Sequence, residues 1–236
     1  GEFVRSESGR TFEHGGQQLP LASRKDARDA VKAARQAQPG WAARSGYNRG
    51  QILYRFAEML EGRVKGEVSD RLVHYAGWCD KAPQVLGSVN PVAGPYFSFS
   101  FPEPVGVVGV VAPGPGLLQL TTVAAAALAG GNTVVALAAD PILGLEFAEA
   151  SVTSDLPPGV LNVLTGDPAS FAGHLAAHRD LDSLAVTEPA NAYAEACSDS
   201  VKRLVELPLE GWENQAGIGW IEKFVETKTV WHPVGV

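Results

Sequence analysis

Two cysteines, a pair of histidines and one broken glycine-rich turn are the residues of this chain whose types and spacing could do chemistry. Cys79, in Gly77-Trp78-Cys79-Asp80, and Cys197, in Ala196-Cys197-Ser198, could act as nucleophiles only as thiolates. Each falls on an expected helix and reads as a small packing residue. His174 and His178 stand at i, i+4, a spacing that can turn two imidazoles toward a metal. Neither a third ligand nor the Glu of an H-E-x-x-H pattern accompanies them. They read as structural or solvent-facing, and no metal is expected. Gly114-x-Gly116 opens like a nucleotide turn, but the third glycine of G-x-G-x-x-G is missing and Pro115 occupies the turn. Trp41 and Trp78 fall in helix-packing contexts. Trp212, Trp220 and Trp231 cluster toward the C-terminal end, where exposed aromatics are expected to mark a protein interface.

The composition limits the partners. The chain has 236 residues, 45% hydrophobic and 19% charged, enough to bury a sizeable core, so one continuous α/β body, residues 1–236, is expected. Nineteen Lys and Arg against 26 Asp and Glu leave a net charge of -7, which repels phosphate backbones and anionic lipid. Neither nucleic acid nor a membrane surface is expected as a partner. The basic cluster Arg24, Lys25, Arg28, Lys32 and Arg35 is interrupted by Asp26 and Asp29 and reads as a solvated helix face. The longest weakly polar run, 117–130, contains Gln119, Thr121 and Thr122 and is too short for a span of roughly 20 apolar residues. Neither an initiating Met nor an export signal opens the chain, as expected of a piece of a longer polypeptide. Two cysteines cannot build a disulfide framework, which fits a reducing compartment, and a cytoplasmic location is expected.

The elements that would position these residues follow from periodicity. Residues 2–12 read as a strand-and-turn arm. Ser23 is the expected N-cap of a first helix with Ala27, Val31 and Ala34 on one face, ended by Pro39-Gly40. A second helix is expected at about 47–63 and a third at about 67–82. From 88 the chain turns extended, and Phe97-Ser98-Phe99-Ser100-Phe101 alternates as a strand with one buried face does. Strands are then expected near 105–111, 133–137, 160–164, 183–186 and 204–207, with helices near 117–129, 142–153, 169–177 and 191–202. The first two strands are near-continuous apolar runs, as in a sheet covered on both faces. The fold class is a doubly wound, Rossmann-type parallel sheet, with an N-terminal helical segment and a β-ribbon from 88–102 and 221–236.

Three phrases in fixed order, Glu103-Pro104-Val105-Gly106-Val107-Val108-Gly109-Val110-Val111-Ala112-Pro113, Gly131-Asn132-Thr133-Val134-Val135 and Leu156-Pro157-Pro158-Gly159-Val160-Leu161-Asn162-Val163-Leu164-Thr165-Gly166-Asp167, resemble the dinucleotide-binding half of an aldehyde dehydrogenase. The resemblance implies a cofactor crevice and, after the sheet, a catalytic domain with a nucleophilic cysteine. Here Leu207 runs into Pro208-Leu209-Glu210-Gly211-Trp212 and reaches the tail-like segment directly, so that domain has no room. The family's oxyanion amide is matched by Pro115, which has neither side-chain amide nor N–H. Its ribose-binding lysine and glutamate are matched by Leu137 and Asp140. Its Phe-Thr-Gly-Ser turn is matched by Val186-Thr187-Glu188-Pro189, which sets a carboxylate against the pyrophosphate and removes a donor. Glu206 stands where the general base would, with no nucleophile to serve.

The resemblance is closest to the truncated second module of the two-module family sixteen aldehyde dehydrogenases. It implies a non-catalytic, structural domain with no catalytic or cofactor-binding residues of its own, inside a parent enzyme that uses NAD. Interface residues would be Phe97, Phe99, Phe101, Phe224, Val225, Thr229 and Trp231, because unpaired ribbon edges call for a partner. That partner would be a catalytic module of the same polypeptide or of a second subunit, in a homo-oligomer. Two alternatives stay open: a divergent, active NAD(P)-dependent fragment oxidising aldehydes to carboxylic acids, and a stand-alone regulatory binder of another metabolite.

Overall fold

A run of valines and alanines flanked by glycine turns can be covered on both sides only inside a layered sheet, and that is where β5 and β6 lie. The computed structural model describes residues 6–112, 114, 116–187, 189 and 191–235. The chain begins with the hairpin β1 (Thr11–His14) and β2 (Gln17–Pro20). Helices α1 (Arg24–Ala42), α2 (Gly46–Leu60), α3 (Gly66–Ala76) and α4 (Ala82–Leu86) follow, then β3 (Ser88–Asn90) and β4 (Tyr96–Pro104). Alternating strands and helices come next: β5 (Val107–Ala112), α5 (Leu118–Ala129), β6 (Thr133–Ala138), α6 (Pro141–Thr153), β7 (Leu161–Leu164), α7 (Pro168–Ala176), β8 (Ser183–Val186), α8 (Asn191–Ser198) and β9 (Arg203–Glu206). A short helix α9 (Gly219–Glu222) and β10 (Val225–Pro233) close it.

Five strands form a parallel sheet in the order β7-β6-β5-β8-β9, the expected doubly wound arrangement. Alternation along β5 decides which layer each residue joins. Val108, Val110 and Ala112 meet α2, α3 and α5. Val107 and Val111 meet α1, α7 and α8 on the other face. Every residue of α5 is buried, and its alanines allow close approach to sheet and helices at once. Gly109 lets the α7 layer pack close to β5: a Cβ there would meet Leu175 Cδ1 at 2.9 Å, and that side chain would have to shift.

A second, antiparallel sheet has the order β10-β4-β3. This is the expected ribbon, with its C-terminal strand beginning only at Val225, because 219–222 is helical. Asn132 roots it in the core. Its Oδ1 accepts from Gly106 N at 2.9 Å, and its Nδ2 donates to Ala127 O and Phe224 O at 2.9 Å each.

The connector from β9 to β10 is packed as core. Arg71, 7% exposed, donates to Thr122 Oγ1 (2.7 Å), Gln215 O (2.5 Å), Trp212 O (3.0 Å) and Glu213 O (3.2 Å). Tyr75 Oη donates to Gly217 O at 3.3 Å; burial pushes its hydroxyl up to about 12. Trp212 and Trp220 lie buried with ring centroids 5.2 Å apart. They are therefore packing residues and not the exposed interface aromatics expected; only Trp231 of that group faces solvent.

Helix limits differ from expectation for local reasons. Ser23 caps α1 through a full capping box with Asp26, but Pro39 is accommodated inside the helix, which runs on to Ala42. The third expected helix, 67–82, breaks at Gly77: α3 ends at Ala76, and α4 starts only at Ala82. After α8, Val201 adopts a positive φ of 53° while Lys202 N bonds to Cys197 O at 3.0 Å. This is a left-handed helix stop that glycine fills without strain and a β-branched residue does not.

Two stability outcomes follow. Val201→Gly, at a side chain 94% exposed, raises stability by about 1 kcal/mol, a melting-temperature gain of roughly 2–4 °C by calorimetry. Arg71→Met removes four charge-assisted bonds and strands the connector's carbonyls. A loss on the order of 3 kcal/mol is expected, with faster proteolytic cleavage within 208–217 than in the wild type; unchanged cleavage there would refute the clamp.

Candidate functional site

Strand order makes β5 and β8 the place where the winding reverses, so the crevice beyond their carboxyl ends is where such a sheet takes a ligand. Of the residues expected there, Pro115 and Glu188 lie outside the described residues. The others can be placed. Gln119, 2% exposed, spans the crevice: its Oε1 accepts from Gly114 N at 2.9 Å, in the turn after β5, and its Nε2 donates to Pro208 O at 3.2 Å, in the turn after β9. Sequence reasoning passed over Gln119 as one polar residue in an apolar run. Its full burial on an apolar helix was the signal that it needed partners.

Leu137 is fully buried near the end of β6, among Val111, Val135 and Phe171. Asp140 is the N-cap of α6, its Oδ1 accepting from Ile142 N and Leu143 N at 2.9 and 3.1 Å. Pro189 is exposed, and its carbonyl accepts from Ala192 N at 2.9 Å. Thr187, at the end of β8, is buried with no hydrogen-bond partner for its hydroxyl among the described residues. Glu206 ends β9 exposed.

The thiols are far from reactive. Cys79 is buried in the turn between α3 and α4, not on a helix as expected, and its Sγ donates to Tyr75 O at 3.3 Å. Burial pushes its thiol up to about 12 despite the attraction of Arg49. Burial also raises Cys197, against Lys202. His174 lies on α7 beside Ser170, but His178 lies beyond the helix end, so the two do not share a helix face as expected. Burial holds His178 below its usual range. Among the described residues no group of three or more His, Cys, Asp or Glu could hold a metal, and no helix is long and apolar enough to cross a membrane.

The ribbon has two different faces. Phe97, Phe99 and Phe101 form a column along β4 with centroids 5.3 and 5.9 Å apart, flanked on β10 by Val230 opposite Phe99 and Lys228 opposite Phe101. The other face carries hydroxyls and an amide: Asn90 Nδ2 donates to Ser100 Oγ at 2.8 Å, and Ser100 and Thr229 share a bond of 2.7 Å. Trp231, 60% exposed, and Tyr96 meet edge-on at its tip. Of the expected interface residues, Phe97, Thr229 and Trp231 are exposed and Phe99, Phe101 and Val225 half-buried. Phe224 is the correction: it is 0% exposed, locked in the chain's own core, and has no surface to offer a partner.

Known proteins share this arrangement. The aldehyde dehydrogenase family pattern matches residues 13–211. The mitochondrial aldehyde dehydrogenase family 2 member B4 of Arabidopsis thaliana is 34% identical over 221 residues, covering 79% of this chain and 40% of that protein. Human cytosolic 10-formyltetrahydrofolate dehydrogenase is 31% identical over 252 residues, covering 89% of this chain and 28% of that protein. The NAD+ complex of an aldehyde dehydrogenase from Bacillus cereus superposes with a TM-score of 0.77 at 25% identity, over 86% of this chain and 48% of that one. The chain thus spans less than half the length of each of these relatives. A parallel sheet in this order, the ribbon and a family match from the first hairpin to the connector together place it: the chain belongs to the aldehyde dehydrogenase family.

Proposed function

We propose that this chain is a non-catalytic, structural module of a larger NAD-dependent aldehyde dehydrogenase, keeping the dinucleotide-domain scaffold while offering its ribbon to a catalytic module. The observation that carries the reading is the connector. In the family the catalytic domain stands between the sheet and the closing strand; here that interval is a short segment that Arg71, Tyr75 and the Trp212–Trp220 pair bind into the core. Support also comes from the crevice, where Gln119 bridges Gly114 to Pro208, Leu137 offers no polar group, and Asp140 directs an oxygen to its own helix. These residues do not fit a dinucleotide. Both thiols are buried and unpaired, which favours a reducing, cytoplasmic setting. Nothing in this reading needs the parent's aldehyde to reach the chain.

One observation favours the rival reading, that the chain binds NAD as a divergent dehydrogenase: the Thr187 hydroxyl is buried without a partner at the end of β8, and a ligand could satisfy it. Calorimetric titration with NAD and NADP separates the two. We expect no saturable heat up to millimolar nucleotide and a flat melting temperature, whereas a ligand present at a hundredfold its Kd would add about 2.7 kcal/mol of stability. Stoichiometric binding would sink the structural reading.

The ribbon's role is tested by assembly. Among the described residues β10 pairs only with β4, and the edge this leaves and the aromatic column suit pairing with another sheet. The wild-type chain is expected to sediment as an oligomer at tens of micromolar, and the Phe97→Ser, Trp231→Ser double variant as a monomer with an unchanged far-ultraviolet spectrum. A wild type that stays monomeric throughout that range refutes self-assembly through the ribbon.

A further inference from the structure

A cavity of about 410 Å³ opens at the root of the ribbon, beside the amino ends of β5 and β6 and so at the opposite end of the sheet from the crevice. It lies where α1 and α5 end and α4 begins. Its accessible walls are apolar: Ala42, Ala43, Pro83, Pro102, Pro104 and Val225 are each half-buried or exposed. Among the described residues one cation lines it, Arg49 of α2, itself 8% exposed. Helix ends leave carbonyls unpaired and carry partial negative charge, and Arg49 serves two such ends. Its Nε donates to Ala129 O at 3.3 Å, at the end of α5. Its Nη1 donates to Ala42 O and Arg44 O at 3.4 and 2.6 Å, at the end of α1.

The other terminal nitrogen is left over. Arg49 Nη2 has no hydrogen-bond partner among the described residues. Nor is it cut off from solvent, because the occluded side-chain atoms without a partner there are the hydroxyls of Thr121, Ser183 and Thr187. Nη2 therefore opens to the cavity that Arg49 lines. The guanidinium also lacks a counter-ion: burial holds it below its ordinary value, and the group that opposes this is Cys79, whose own thiol is pushed up to about 12 by burial and stays neutral. A charge withdrawn from water is costly unless its donors are matched, and here carbonyl dipoles match two nitrogens of three.

The wall holds one acid, Glu103, whose Oε1 accepts from Lys228 Nζ at 2.9 Å on the ribbon. That carboxylate opposes a dianion more than a monoanion. A planar N–H edge suits a carboxylate, and walls of alanine, proline and valine suit an aliphatic body. The volume stands at the small end of the roughly 300–1,000 Å³ of ligand pockets.

We propose that the open edge of Arg49, among these apolar walls, binds a compact aliphatic monocarboxylate. The site is separate from the Gln119 crevice and from the aromatic column of the ribbon, so it stands whether or not the chain binds NAD.

Butyrate and its neutral isostere butyramide serve as probes, titrated calorimetrically into the full chain, with inorganic phosphate as the dianion. Butyrate is expected to saturate one site, butyramide to show no binding over the same range, and phosphate to bind more weakly than butyrate. Arg49→Lys keeps the charge but loses the planar edge and weakens butyrate roughly ten- to hundredfold. Because Arg49 also holds two helix ends, a second variant leaves it untouched: Ala43→Phe, at an exposed position with a helical φ of -70°, fills the mouth and abolishes binding with the melting temperature unchanged. Lys32→Gln, exposed on α1 and outside the cavity, leaves the affinity within about twofold. No saturable butyrate binding, butyramide or phosphate binding as tightly as butyrate, or undiminished binding in Ala43→Phe overturns the proposal. Displacement of butyrate by NAD also overturns it; NAD binding without displacement would count against the structural reading alone.

Discussion

The buried guanidinium of Arg71 is the constraint on which the rest of the chain's closure depends. Withdrawing an arginine from water costs several kcal/mol unless its donors are matched, and here the partners are three backbone carbonyls of the connector and the hydroxyl of Thr122, not a carboxylate. The charge is therefore stabilised by dipoles that only this path of the chain supplies. Thr122 in turn donates to Leu118 O at 2.7 Å in the first turn of α5. The clamp thus ties α3, α5 and the connector into one unit, and a longer or differently routed insertion would have to give up those contacts.

Asn132 extends the same logic to the ribbon. One amide satisfies a donor before β5 and the carbonyls of Ala127 in α5 and Phe224 before β10. Arg203 adds a second tie, donating from the edge strand β9 to Lys223 O and Val225 O at 3.0 and 2.9 Å and pairing with Glu226. The base of the ribbon is thus held by groups in the protein interior and at the sheet edge, while its tip carries Tyr96, Phe97 and Trp231 to solvent. The ribbon is an arm fixed at one end, with exposed aromatic side chains at the other.

How much of this was legible depended on whether the cause was local. The strands of the parallel sheet showed as apolar runs between glycine turns, and Ser23 announced α1 because its cap lies three residues from its partner Asp26. The split at Gly77, the position of His178 past the end of α7 and the burial of Trp212 and Trp220 were not legible, because each is decided by packing against elements distant in sequence. Arg71 reads as an ordinary polar position on a helix, and its carbonyl partners lie about 140 residues on. Gln119 gave a partial signal, since an amide on an otherwise apolar helix must find partners when buried, but Pro208 could not be guessed from spacing.

The residues that hold the sheet together and those that line the crevice lie in different parts of the fold. Stability comes from the alternating faces of β5 and β6 and the alanines of α5, each touching many neighbours and costly to change. Ligand contacts in such a fold come from around the strand ends; here Leu137 near the end of β6, Asp140 in the turn after it and Gln119 in the first turn of α5 serve the protein's own packing and caps. Once a turn's polar groups are satisfied internally, a cofactor must break those bonds before forming its own. At about 1 kcal/mol net for a neutral hydrogen bond and more for a buried group left unpaired, breaking the Gln119 bridge alone would cost a ligand roughly tenfold or more in affinity. Such a bridge works against binding and for stability at the same time.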